Sequence, residues 1–158
     1  MSNDLSTTAD LYELLGDSHK GYMEAAKRMK TPKLAQFLAE LSTERQHMQH
    51  ELGAELHRLM PDVKLDESTM KGDVHRTWMD IRKALSHVDD AAMLRECERG
   101  ENYLMDRFTS ALEDKDVPVE LFDLLRKQKS QVSLALSNVK QLHATAVPGP
   151  ETAGARPV

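Results

Sequence analysis

The sequence predicts an all-α protein built as a four-helix bundle, and three observations carry that expectation. Apolar residues recur at spacings of three and four through four long stretches, which gives each stretch one buried helical face. Nowhere do apolar and polar residues alternate as a half-buried strand requires. The 158 residues are 40% hydrophobic and 30% charged but only 4% aromatic, a composition suited to helices packed through aliphatic side chains. A chain of this length fits one domain with a real core.

Each element has its own punctuation. Thr7, with Asp10 three residues later, reads as a capping box opening a first helix that runs to about Lys30. Thr31-Pro32 supplies a cap and then proline at the first helical position, opening a second helix that stops at Met60-Pro61. Asp73 caps a short helix in which Val74, Trp78, Ile81, Leu85 and Val88 recur at four and three. Asp89-Asp90 opens the third main helix, and Asp116 with Pro118 introduces the last, which fades near His143. Short loops make the first two helices, and the last two, antiparallel neighbours. The connector 61–88 is different, being long and carrying its own short helix. A crossover between the second and third main helices is the wiring of ferritin-like bundles. The expected fold is therefore a ferritin-like four-helix bundle with an additional short helix in a long crossover, over residues 1–143. Residues 144–158 carry Pro and Gly without periodicity and read as a disordered tail.

Charge and composition exclude some functions. The formal charge is −5 and there is no basic run, which argues against nucleic acid and against an anionic membrane surface. Cys97 is the single cysteine, so no intramolecular disulfide forms and a reducing, cytoplasmic setting is expected. The start, MSNDLSTTADLYELL, lacks the basic and apolar regions of a signal peptide, and no apolar run reaches the length of a membrane span.

The buried stripes share an interruption. In the third helix, Leu94, Cys97, Met105, Phe108 and Leu112 mark the stripe, and Glu98 and Glu101 fall within about 40° of its centre at about 100° per residue. The first helix places Ser18 and His19 between Leu15 and Tyr22; the second places Glu44 and Arg45 between Leu41 and Met48. The last places Gln128 and Lys129 between Leu125 and Val132. One polar layer is expected to cross the bundle at mid-height.

Buried carboxylates need compensation, because an unpaired charge in an apolar interior costs several kcal/mol. A metal is one compensator: Glu44, Glu98, Glu101 and His19 offer carboxylate and imidazole donors suited to iron or manganese. Glu44 and His47 spell one Glu-x-x-His, yet His47 lies about 130° from the centre of its stripe. The last helix offers neither carboxylate nor histidine in the layer, so a symmetric di-iron set is incomplete. Protein charge is the second compensator, in which Arg45, Gln128 and Lys129 form a buried network with the glutamates and fix helix register. A small-molecule ligand is the third. His50 and His57 read as a solvated face with His47, and Cys97 as an inert core thiol.

The segments GYMEAAKRM, LSTERQHMQHEL, VHRTWMDIRKAL and ECERGEN occur in this order across residues 8–113. Together they resemble an uncharacterised bacterial family of four-helix bundles in the ferritin-like superfamily, through the HR-x-W and E-R-G-E elements. The resemblance implies a ferritin-like bundle and sets Glu44, Arg45, Glu51, His75, Trp78, Glu98 and Glu101 on the family pattern, with no reaction attached. His19 stands where that pattern has an acidic residue. Two functions follow as expectations. One is a non-catalytic or weakly metal-binding ferritin-like bundle with a buried polar layer, a structural or interaction protein and homodimer in a stress response, with no catalytic residue. The alternative is a carboxylate-bridged iron or manganese protein for metal handling or peroxide chemistry.

Overall fold

The computed structural model describes residues 5–65 and 89–146. Among them the chain forms four long helices and no strand: α1 (Ser6–Arg28), α2 (Pro32–Leu59), α3 (Asp90–Glu113) and α4 (Phe122–Ala146). A 3-10 turn, Val119–Leu121, leads into α4. None of these helices is long and apolar enough to cross a membrane. The amphipathic run 74–88, with His75 and Trp78, lies outside the described residues, as do residues 147–158.

Local chemistry sets most helix ends where the sequence puts them. Pro32 takes the first position of α2, where its missing N–H and fixed φ cost nothing. Asp89 caps α3 by accepting the Ala92 N–H at 2.7 Å. Two expectations are corrected. The Thr7–Asp10 capping box is absent: α1 begins after Leu5 without a side-chain cap, because the Thr7 hydroxyl donates to Asp114 Oδ2 at 2.7 Å instead. The last helix runs three residues past His143, to Ala146.

Two polar latches fix the directions of the helices. At one end Thr7 of α1 meets Asp114 just beyond α3. At the other, Asp90 at the start of α3 accepts the N–H groups of Lys30 and Thr31, at 2.9 and 3.0 Å, and the Thr31 hydroxyl at 2.5 Å. α1 and α3 are therefore antiparallel. α1 also packs antiparallel to α2 through a short turn, so α2 and α3 run parallel. Contacts pair α1 with α2 and α3 with α4, and the pairs join through α1–α3 and α2–α4. In that ring α2 and α3 stand diagonally.

The core divides into two apolar clusters. One gathers Leu11, Leu15, Leu52, Leu56, Phe108, Leu121 and Leu125; the other gathers Tyr22, Ala25, Leu38, Leu41, Met93, Leu94, Cys97 and Val139. On α2 the change from one cluster to the other falls between Leu41 and Met48, and on α3 between Cys97 and Leu104. Arg45 and Glu101 occupy those gaps.

Candidate functional site

Glu101 is the deepest carboxylate of the described structure, 1% exposed, and Arg45 is fully buried. Their positions follow from helical phase. The buried positions of α3 include Leu94, Cys97, Glu101, Leu104, Phe108 and Ala111, a run at spacings of three and four with Glu101 on its axis. Arg45 sits likewise among Leu38, Leu41, Ser42, Met48 and Leu52 on α2.

The two side chains pair directly, Arg45 Nη2 donating to Glu101 Oε1. The other oxygen, Oε2, accepts the Tyr22 hydroxyl of α1 at 2.5 Å. Arg45 Nη1 donates to Glu44 Oε1 at 2.9 Å and to Met48 Sδ at 3.3 Å. The guanidinium also lies over the Tyr22 ring, 5.9 Å from its centroid, within range of a cation–π attraction. Arg45 Nε is buried with no hydrogen-bond partner among the described residues. Three helices thus meet at one guanidinium.

Burial governs the electrostatics. It pushes the Glu101 carboxyl above the usual range, against the opposing pull of Arg45 and of the Tyr22 hydrogen bond. Burial, joined by the nearby Glu101 charge, raises the Tyr22 phenol well above its ordinary value. For Arg45 burial acts to lower the value, but the Glu101, Tyr22 and Glu44 charges outweigh it and hold the guanidinium charged. Cys97 is driven up chiefly by burial and then by the Glu101 and Glu96 carboxylates, which leaves a thiol rather than a nucleophilic thiolate. A pocket of about 50 Å³ opens beside Tyr22 and Glu101 between α1 and α3, with Asp17, Ser18, Gly21 and Gly100 among its lining residues.

The other residues expected in a shared layer are placed elsewhere. Glu98 is half-buried, and its Oε1 accepts from Nδ1 of His143 on α4 at 3.2 Å. His19 Nδ1 lies 2.9 Å from both the carbonyl and the hydroxyl oxygen of Ser42, and the Ser42 hydroxyl donates back to the His19 carbonyl at 2.9 Å. That is a clasp between α1 and α2. Gln128 is buried but donates to the Met48 carbonyl at 3.0 Å and to Glu51 at 3.2 Å. Glu51 also receives Lys127 at 2.5 Å, and that bond leads the causes that lower its pKa. Lys129 is half-buried. Among the described residues, the ion pairs of Glu44 and Glu101 are with Arg45, and that of Glu98 is with His143. His47, His50 and His57 are exposed; His57 Nδ1 lies 3.0 Å from the Gly53 carbonyl of its own helix.

Of the expected residues, the structure brings Glu44, Arg45 and Glu101 to one point. Tyr22 and His143 are partners that the reading from residues missed. Tyr22 was legible as a phenol one turn beyond the polar step of its helix; His143 carried no signal beyond its type.

Residues 4–114 match the model of a family described as a domain of unknown function, DUF2383. The chain belongs to that family. The match takes in α1, α2 and α3 and ends before α4. All of Tyr22, Glu44, Arg45 and Glu101 lie within it, while Gln128 and His143 lie beyond. No curated protein and no solved structure matches the chain.

The donors expected of a ferritin-like di-metal centre are not brought to one point among the described residues: Glu44 and Glu101 meet at Arg45, Glu98 pairs with His143, and His19 with Ser42. Among the described residues, no three His, Cys, Asp or Glu side chains group closely enough to hold a metal ion. At the point where two glutamates from different helices do converge, the cation between them is the guanidinium of Arg45. A buried arginine there repels a metal ion and has already supplied the positive charge.

Proposed function

We propose that this chain is a non-catalytic bundle with ferritin-like wiring that works through its surfaces, as a structural or interaction protein. The observation that carries the reading is the Arg45–Glu101–Tyr22 lock, with both Glu101 oxygens engaged by protein donors. A buried ion pair of this kind fixes how helices register against one another more than it adds stability. The ferritin-like wiring is supported by the parallel run of α2 and α3. α2 has 28 residues, about 42 Å of helix, so a short loop cannot join its end to the start of a parallel neighbour. In the same proposal the protein is a cytoplasmic homodimer serving a stress response. Leu134 on α4 and Val119 before it, 65% and 69% exposed, are apolar surface that such contacts would cover.

The test is metal content, by elemental analysis of untagged protein reconstituted with ferrous iron and with manganese. The reading expects no stoichiometric metal. One or two ions per chain, lost in Glu98→Gln, would overturn it in favour of a carboxylate-bridged iron or manganese protein. Sedimentation equilibrium tests the dimer, and a monomer at every concentration would sink that part.

A further inference from the structure

We infer that Arg45 stands in for a divalent cation at the centre of the bundle, and that its charge is what keeps Glu44 and Glu101 from binding one. The inference rests on the ferritin-like reading above and names the residue that decides what the centre holds.

The geometry around Arg45 is that of a cation site with an unusual occupant. One oxygen of Glu44 and one of Glu101, from helices that stand diagonally, converge on the two terminal nitrogens of a single guanidinium. Met48 Sδ completes the approach at 3.3 Å, and the face of Tyr22 lies on the same charge. Arg45 Nε, however, has no partner among the described residues. These neighbours therefore meet the charge of Arg45 but leave one of its donors without a partner among the described residues. Carboxylates held apart on two backbones around one positive centre are the first requirement of a divalent site. Small hard cations such as Mn²⁺ bind through one or two carboxylates and keep several of their waters. The pocket between α1 and α3 borders Glu101 and Tyr22, which gives those waters room.

Shortening residue 45 to alanine removes the charge, empties the volume of the guanidinium and leaves two carboxylates facing each other. Glu101, 1% exposed, then has no cation. A divalent ion satisfies both groups, and so does free guanidinium, which has the shape of what was removed. Glu98 and His19 take no part, because His143 and Ser42 hold them.

The experiment uses the full chain as wild type, Arg45→Ala and Arg45→Ala/Glu101→Gln. Thermal melts are recorded with and without MnCl₂ and with guanidinium far below denaturing concentrations, and free Mn²⁺ is counted by electron paramagnetic resonance. Arg45→Ala is expected to melt lower than wild type, to recover with either cation, and to bind Mn²⁺ at least about tenfold more tightly than wild type. The double variant is expected to fold without added cation and to respond to neither. Where Arg45→Ala does not fold alone, the yield of folded chain on refolding with MnCl₂ replaces the melt. No recovery of Arg45→Ala with Mn²⁺, or an equal response from the double variant, overturns the inference. Stoichiometric Mn²⁺ binding by wild type would instead overturn the proposed non-catalytic, structural role.

Discussion

Arg45 and Glu101 join two parallel helices that stand diagonally in the bundle, and their ion pair fills the gap between two apolar clusters. The pair is a joint rather than a source of large net stability. Desolvating two charges costs nearly what their attraction returns, while leaving one of them alone is expensive. Arg45→Met is therefore expected to lower unfolding free energy by about 3–5 kcal/mol. Arg45→Met/Glu101→Leu is expected to regain most of that loss, in urea unfolding of both variants. A double variant no more stable than the single would show that the arginine acts through packing alone.

The Tyr22 hydroxyl tests the other oxygen of Glu101. Tyr22→Phe keeps the ring under Arg45 and removes only the 2.5 Å hydrogen bond. The expected cost is about 1–3 kcal/mol, the range for stripping a partner from a buried charged acceptor. A change within error in the urea midpoint would mean that Glu101 is served by Arg45 alone.

Burial raises the folded-state Glu101 carboxyl above its ordinary value near 4.5. Between those two values the native chain binds more protons than the unfolded one. The contribution of Glu101 to stability is then present at low pH and falls as pH climbs through the raised value. Glu51, Asp90 and Asp114 act in the opposite sense, because their folded values are lowered and their contributions vanish in acid. Subtracting the Glu101→Gln stability profile from that of wild type, over pH 4–8, cancels those groups. The difference is expected to decline with rising pH, with Arg45, Tyr22 and Glu44 as the groups that set its position. A difference that rises with pH would show that the ion pair outweighs burial.

Two helical glycines should answer oppositely to alanine. A Cβ on Gly53 would stand 2.6 Å from Tyr12 Cε2, whereas one on Gly100 meets nothing within 4 Å. Gly100→Ala is expected to stabilise by about 0.5–1 kcal/mol through reduced freedom of the unfolded chain. Gly53→Ala must displace the Tyr12 ring, whose backbone carbonyl also anchors Gln49 at 3.0 Å, and is expected to destabilise by about 1–3 kcal/mol. Thermal melts of the two variants decide the matter.

The helices were legible because their caps and spacing are local properties. Pro32 and Asp89 could be placed from a few neighbouring residues. The site was legible in kind but not in membership. A stripe through Met105 and Leu112 turns α3 toward Glu98; the buried face runs through Leu104 and Ala111 instead, which puts Glu101 on its axis and Glu98 at its edge beside His143. A rotation of one residue on a helix exchanges interior for flank. Thr7 misled for another reason. Its spacing to Asp10 is a sound local signal, but Asp114, 107 residues away, competes for the same hydroxyl, and no local pattern reports a partner at that distance.

The two latches also bear on how the chain reaches this structure. The α1–α2 and α3–α4 seams join neighbours in sequence, so each hairpin can form early. Thr7–Asp114 and Thr31–Asp90 close only when residues 107 and 59 positions apart meet, and the loop entropy of that meeting is met late. Asp90→Ala should then hasten unfolding in stopped-flow chevrons while leaving the folding limb nearly unmoved; a slowed folding limb would place the latch in the nucleus. On this route the bundle is two hairpins that fold separately and are then bolted together at both ends, with the charged joint between Arg45 and Glu101 formed as they dock.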